Sequence, residues 1–131
     1  MAGIEINGLY LIDDNFFSTY PNERYMQNKG ENRPHYFAIK DDDGIYWMIP
    51  LSSKVAKYRQ KIAAIEQRNG KGRCFMYYLA QISGRESAIL ICDMFPVTER
   101  YILRPYTVGG LPYIVRNQTI CKDIHSRPCA I

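Results

Sequence analysis

The chain is poor in the residues that metal and redox chemistry use. Its 131 residues include only two histidines and four cysteines, and no Cys-x-x-Cys pair. Zinc-ligand spacing is therefore missing, and no metal or other cofactor is expected. The thiols at Cys74, Cys92, Cys121 and Cys129 are expected to be reduced and unreactive, with Cys92 in A-I-L-I-C-D a small core residue. Apolar runs stay far shorter than a membrane span. No charged-then-apolar leader opens the sequence, so the expected compartment is the cytoplasm and no membrane partner is expected. No fixed-period repeat, low-complexity tract or linker divides the chain, which reads as a single domain over residues 1–131.

What is present suits a packed, mildly basic domain. Hydrophobic residues make up 47%, enough for a core at this length. The net charge of +4 favours an anionic partner. The 11 tyrosines serve equally as half-buried strand residues or as stacking surfaces for bases.

The periodicities predict an α+β domain. Residues 4–12 read as a strand ended by Asp13-Asp14-Asn15, with Phe16 and Phe17 anchoring the next segment to the core. Residues 18–32 are polar and rich in turn formers, hence a long surface loop. Residues 34–40 and 45–51 read as a hairpin turning at Asp43-Gly44, with Pro50 suggesting an edge or a strand end. A helix is expected from Ser52 or Ser53 to Asn69-Gly70, burying Val55, Tyr58, Ile62 and Ile65. Strands are expected over 73–82 and 87–92, then a short turn capped by Thr98. An extended stretch over 103–114 bends at Gly109-Gly110, and a short helix over 116–126 faces inward through Ile120 and Ile124. Together these predict a small antiparallel β-barrel or curled sheet with one main inserted helix and a short C-terminal helix.

The segment from Arg33 to Arg68 carries the chemistry. Arg33 and His35 share a strand face, and a regular hairpin sets His35 opposite Leu51 to Ser52. Ser52, Ser53 and Lys54 lie where the partner strand enters a helix, whose first N–H groups can hold an anion. RNA can be cut without a metal by its own 2′-OH. The reaction needs a proton acceptor, donors on the phosphate and an acid for the leaving oxygen. His35 is the proton-transfer candidate, the serines position the phosphate and Lys54 or Lys57 supplies charge. Simpler roles stand beside these. Either serine is a good helix cap, His35 suits a structural histidine, and Arg33 suits an ion pair with Glu31 or a turn aspartate. Lys54 suits a solvated first turn, His125 suits a structural role in the tail helix, and Trp47 suits the core. The face of Lys57, Lys61 and Arg68, and the loop at Arg24, Tyr25 and Lys29, would touch RNA or water.

R-P-H-Y-F-A-I-K, then Y-W-M-I-P-L-S-S-K-V-A-K-Y, then E-S-A-I-L-I-C-D-M-F-P-V-T-E-R-Y-I, resembles the toxins of type III toxin–antitoxin systems. The likeness is to the CptN branch of the ToxN/AbiQ group, within the wider Kid/MazF-like fold, over about residues 5–115. The resemblance implies a metal-independent endoribonuclease leaving 2′,3′-cyclic phosphate and 5′-hydroxyl ends. It implies inhibition by a repeat-derived pseudoknot RNA antitoxin, which the toxin processes and binds in a closed assembly, and cellular RNA as substrate. Ser52 and Ser53 match a Thr-Ser pair of the family, and His35 falls at an active-site lysine position. The family's next catalytic lysine comes after Thr-Ser-Pro. Here no proline intervenes and Val55 holds the literal position, which leaves Lys54 or Lys57 in its place. Two rival classes fit the same residues: a non-catalytic RNA-binding barrel, and a Kid-fold inhibitor of a DNA-acting enzyme.

Overall fold

The computed structural model describes residues 3–23 and 25–126, so Arg24 and Cys129 lie outside the described residues. In chain order the elements are β1 (Leu9–Ile12), α1 (Asp14–Thr19), β2 (His35–Lys40), β3 (Ile45–Ser52), α2 (Val55–Asn69), β4 (Tyr78–Ile82), β5 (Arg85–Ile89), β6 (Phe95–Thr98), β7 (Ile102–Pro105), β8 (Thr107–Val108), β9 (Leu111–Pro112) and α3 (Gln118–His125). The expected α+β class and antiparallel pairing are present. Closure into a barrel is not: the sheet runs β4-β5-β3-β2-β1-β7, with β6 a side branch on β3.

β3 organises the sheet because it has two partners along one edge. β6 pairs with Ile45 to Met48, and β5 pairs with Leu51 and Ser52. Pro50 falls between them. The Leu51 N–H points to β2, bonding the Pro34 carbonyl at 3.1 Å. The missing N–H of Pro50 therefore points into the gap where β6 gives way to β5. Pro50 is thus not at an edge: it is buried in a central strand, and the partner switch is what makes proline tolerable there.

Alternation divides the buried residues between two faces. Leu9, Tyr36, Ile49, Leu51 and Ile89 point to one face, which Ile124 of α3 covers with Ile120 beside it. Tyr10, Phe37, Tyr46, Met48 and Phe95 point to the other, which Phe16 of α1 covers. Each fully buried side chain of this size contributes roughly 1.5–3 kcal/mol. α2 packs through Tyr58 on Ala88 and Leu90, with Val55, Ile62 and Ile65 half-buried on the expected stripe. His125 has the structural place expected of it: its Nε2 lies 3.3 Å from both the Tyr36 hydroxyl and Asn7 Oδ1, tying α3 to the sheet.

Local chemistry explains the shifted boundaries. β1 starts at Leu9 because Asn7 takes φ 69° and the Gly8 N–H turns back to the Glu5 carbonyl. Asp13 ends the strand as expected, but its carboxylate then accepts the Asn15 N–H at 2.8 Å and starts α1. α2 starts at Val55 because Ser52 is still paired in the sheet with Ala88. It stops as expected at Gly70, where φ is 106°. Residues 73–76 are a connection rather than strand, with Phe75 and Met76 exposed. The second strand of that pair begins earlier than expected, at Arg85, and gives way to a 3₁₀ turn at Ile91–Asp93. Trp47 is half-buried rather than core, its indole N–H donating to Asp41 at 3.3 Å. Cys92 is likewise half-buried, while Cys74 is buried. Among the described residues no helix is long and apolar enough to cross a membrane.

Candidate anion-binding cleft

A cleft of about 390 Å³ opens at the end of β3. The loop before β2 supplies Lys29, Asn32 and Arg33, and the end of β3 supplies Ser52 and Ser53. The β4–β5 hairpin supplies Ser83, Arg85, Glu86 and Ser87, and Tyr106 to Val108 close the remaining side.

Arg33 is a buried cation among the lining residues. It is 4% exposed, yet no carboxylate among the described residues pairs with it. Its Nε donates to the Gln27 carbonyl and its Nη1 to the Leu51 carbonyl, both at 2.6 Å. Glu31 and Asp41, available to it in sequence, are used elsewhere. Glu31 accepts the Asp14 N–H, and Asp41 accepts from Asp43, Ile45 and Trp47. Burial lowers the Arg33 pKa from its ordinary value, but a guanidinium stays protonated in proteins. The result is a desolvated cation whose carbonyl bonds satisfy its geometry but not its charge. A buried ion without a counter-ion costs several kcal/mol, which a bound anion would recover.

The two serines divide their work. Ser52 is 4% exposed, and its Oγ accepts the Lys54 N–H at 3.2 Å. It caps the entry to α2 from outside the helix, while Lys54, the cap residue itself, makes no side-chain cap bond. Ser53 is exposed. Leu51 pairs with Ile89, so alternation places Ser87 on that same sheet face, and Ser53, one residue past β3, also lines the cleft. Ser53 is therefore the hydroxyl available to a ligand.

Lys29 is held at the rim by an unusual turn. Lys29, Gly30 and Glu31 all take left-handed backbone, at φ 54°, 64° and 69°. Each non-glycine residue in that region costs roughly 1 kcal/mol. Asn28 offsets this. It is buried, its Nδ2 donates to the Ile12 carbonyl at 2.7 Å and to Asp14 at 2.9 Å, and its backbone carbonyl accepts the N–H groups of Asn32 and Arg33.

Other expected site residues lie elsewhere. His35 does not line the cleft. It is 1% exposed and packs with Phe17 and Phe95 on the opposite face, the Phe95 ring centroid 5.4 Å away. The cause is a bulge between Phe37 and Ile39. Ile39 pairs with Trp47, which continued regularly sets His35 against Leu51. The extra residue sets it against Pro50 instead, and one residue of slip reverses the face. Burial, then the nearby Arg33 charge, push the His35 pKa down to about 3, so the ring stays neutral. Lys54 is exposed at the helix entry and does not line the cleft. Lys57 and Lys61 lie over the Tyr58 ring, at 5.5 and 5.6 Å from its centroid. Arg68 is exposed in the last turn of α2. Tyr25 is half-buried against Phe16, Phe17 and Phe95 rather than poised as a lid.

The β4–β5 wall was not legible as part of a site. The Ser83-Gly84 turn could be read, but the pairing of β5 with β3 across α2 leaves no local sequence signal. No group of three or more His, Cys, Asp or Glu side chains that could hold a metal ion occurs among the described residues. No protein-family model matches the chain, and no curated protein does.

Proposed function

We propose that this chain is a metal-independent endoribonuclease of the type III toxin kind, built on a Kid/MazF-like sheet. The observation that carries the reading is Arg33, a buried residue lining an open cleft whose guanidinium has no carboxylate partner among the described residues. An RNA phosphodiester supplies the missing negative charge. Ser53, Ser87 and Lys29 surround the phosphate. The 2′ oxygen attacks phosphorus, the bond from phosphorus to the 5′ oxygen breaks, and a 2′,3′-cyclic phosphate and a 5′-hydroxyl result. The proton lost by the 2′ oxygen and the proton gained by the 5′ oxygen exchange with water. His35 is left out of this chemistry because its ring is buried away from the cleft. Fixed cations and hydroxyls lower the barrier by stabilising charge that builds on the phosphate.

In this reading the protein acts in the cytoplasm on cellular RNA. It is held inactive by a pseudoknot RNA antitoxin, in a closed assembly of toxin and RNA. The exposed cations of α2, Lys54, Lys57, Lys61 and Arg68, lie where they can meet RNA backbone outside the cleft. The test is to incubate purified protein with structured and single-stranded RNA in EDTA and to map the cut ends. Cyclic phosphate ends should appear with the wild type. They should vanish with Ser53→Ala, whose stability should stay within about 0.5 kcal/mol of wild type. Cleavage that needs a divalent cation would overturn the reading.

The burial of His35 favours one alternative, a non-catalytic RNA-binding module with the same cleft. That module would bind RNA with a steep salt dependence and leave it uncut.

A further inference from the structure

Arg85 is a cation of the cleft whose side chain has no partner among the described residues. It is the first residue after the Ser83-Gly84 turn, paired with Ile82 across the hairpin. Both turn residues take positive φ, 56° and 76°, and the Ser83 N–H donates to the Tyr113 hydroxyl at 2.8 Å. The arm carrying Arg85 is thus braced at its tip. Ile89 opposes Leu51, so alternation puts Ile89, Ser87 and Arg85 on the same face as Leu51. Arg85 is exposed and lines the cleft, and its side chain makes no hydrogen bond or ion pair among the described residues.

Its sequence neighbour does not neutralise it. Glu86 also lines the cleft, but its carboxylate is bonded to Arg59 of α2. Alternation turns Glu86 to the strand face opposite Arg85, where its carboxylate meets Arg59 rather than Arg85. The remaining cations have other tasks or positions. Arg33 is anchored on two carbonyls, and Lys54 and Lys57 do not line the cleft. Lys29 is available, but on the opposite wall, as a point charge rather than a planar fork.

We propose that Arg85 is the residue that holds the non-bridging phosphate oxygens in the transition state, across the cleft from Lys29, with Ser87 beside it. This rests on the endoribonuclease reading and replaces Lys54 or Lys57 as its catalytic cation. Arg33 binds the phosphate in the ground state. The bidentate fork of Arg85 tightens as a second negative charge develops on the oxygens.

The experiment compares wild type, Arg85→Gln, Arg85→Lys and Ser53→Ala. It measures single-turnover cleavage at saturating RNA, and binding of the same RNA with a 2′-deoxy residue at the cut site. Arg85→Gln should slow cleavage by about 10²–10³-fold while binding changes by less than about fivefold. Arg85→Lys should recover only part of the loss, and added guanidinium ion should partly rescue Arg85→Gln. Arg85→Gln cutting at the wild-type rate while Ser53→Ala is dead would overturn the assignment and leave the nuclease reading intact. So would a rate loss matched by an equal binding loss. A wild-type protein that cuts no RNA at all would overturn both.

Discussion

Lowering the pH from about 7.5 to about 5 should weaken the fold by about 2 kcal/mol through His35 alone. The ring is held neutral in the folded protein, with a pKa pushed down to about 3 from 6.5 by burial. Between those two values the unfolded chain binds a proton that the folded chain refuses. The stabilisation is therefore complete above the unfolded pKa and is lost as pH falls toward the folded one. Each unit below 6.5 removes about 1.36 kcal/mol, so the loss by about pH 5 is about 2 kcal/mol. His125, whose pKa is also lowered by burial, adds in the same direction. The assay is urea unfolding at a series of pH values for wild type, His35→Gln and His125→Gln. His35→Gln should cost stability at all pH values, because it disturbs packing on Phe17 and Phe95. Its slope between about pH 7.5 and 5 should nonetheless be flatter than wild type by the stated amount. A His35→Gln curve parallel to wild type would refute the reasoning, as would an NMR titration of the His35 ring above about pH 5. The same experiment reaches the chemistry. A neutral, buried His35 contributes no inflection near 6.5 to a pH–rate profile of RNA cleavage.

Two further outcomes are expected of the cleft. Inorganic phosphate should raise the melting temperature of the wild type by binding in the cleft at Arg33. At a concentration 100 times its Kd the gain is about 2.7 kcal/mol. Arg33→Met should abolish the phosphate effect, and scanning calorimetry with and without phosphate reads both proteins. Lys29→Asn should stabilise the fold by about 0.5–1 kcal/mol, since asparagine tolerates the left-handed region better. It should also weaken RNA binding by removing a rim cation, and a filter-binding titration beside a urea melt would show whether the two effects part in this way.

The readable parts of this fold were those governed by neighbours in sequence. The turn at Gly44, the end of α2 at Gly70, the inward stripe of α2 and the docking of α3 through Ile124 all depend on residues a few positions apart. The cleft was half legible for the same reason: Arg33, Ser52 and Ser53 flank one hairpin. The division of labour between the serines was not, because it depends on Ala88 holding Ser52 in the sheet one residue before the helix can begin. Arg85 and Ser87 were missed because β5 meets β3 only after the chain has passed through α2 and β4.

His35 shows how one residue of backbone can change a chemical assignment. Hairpin register runs from the turn, and the Ile39–Trp47 pair continued regularly leads to Leu51. Leu51 points to the cleft side of the sheet, so a regular hairpin would carry His35 there as well. The bulge around Ala38 adds one residue to β2 and none to β3. Nothing in A-I-K marks it, because alanine is small and apolar on either face. Tertiary packing explains what the slip gains. It leaves Tyr36 and Ala38 on the face that α3 covers, and Phe37 among the rings around Phe16. A regular register would have turned one of these apolar sets toward the wrong layer, at roughly 1.5–3 kcal/mol for each large side chain. Sealing one histidine in neutral form costs much less than that near neutral pH. The packing of two cores thus decides where His35 goes, and the cleft is left to work with cations and hydroxyls.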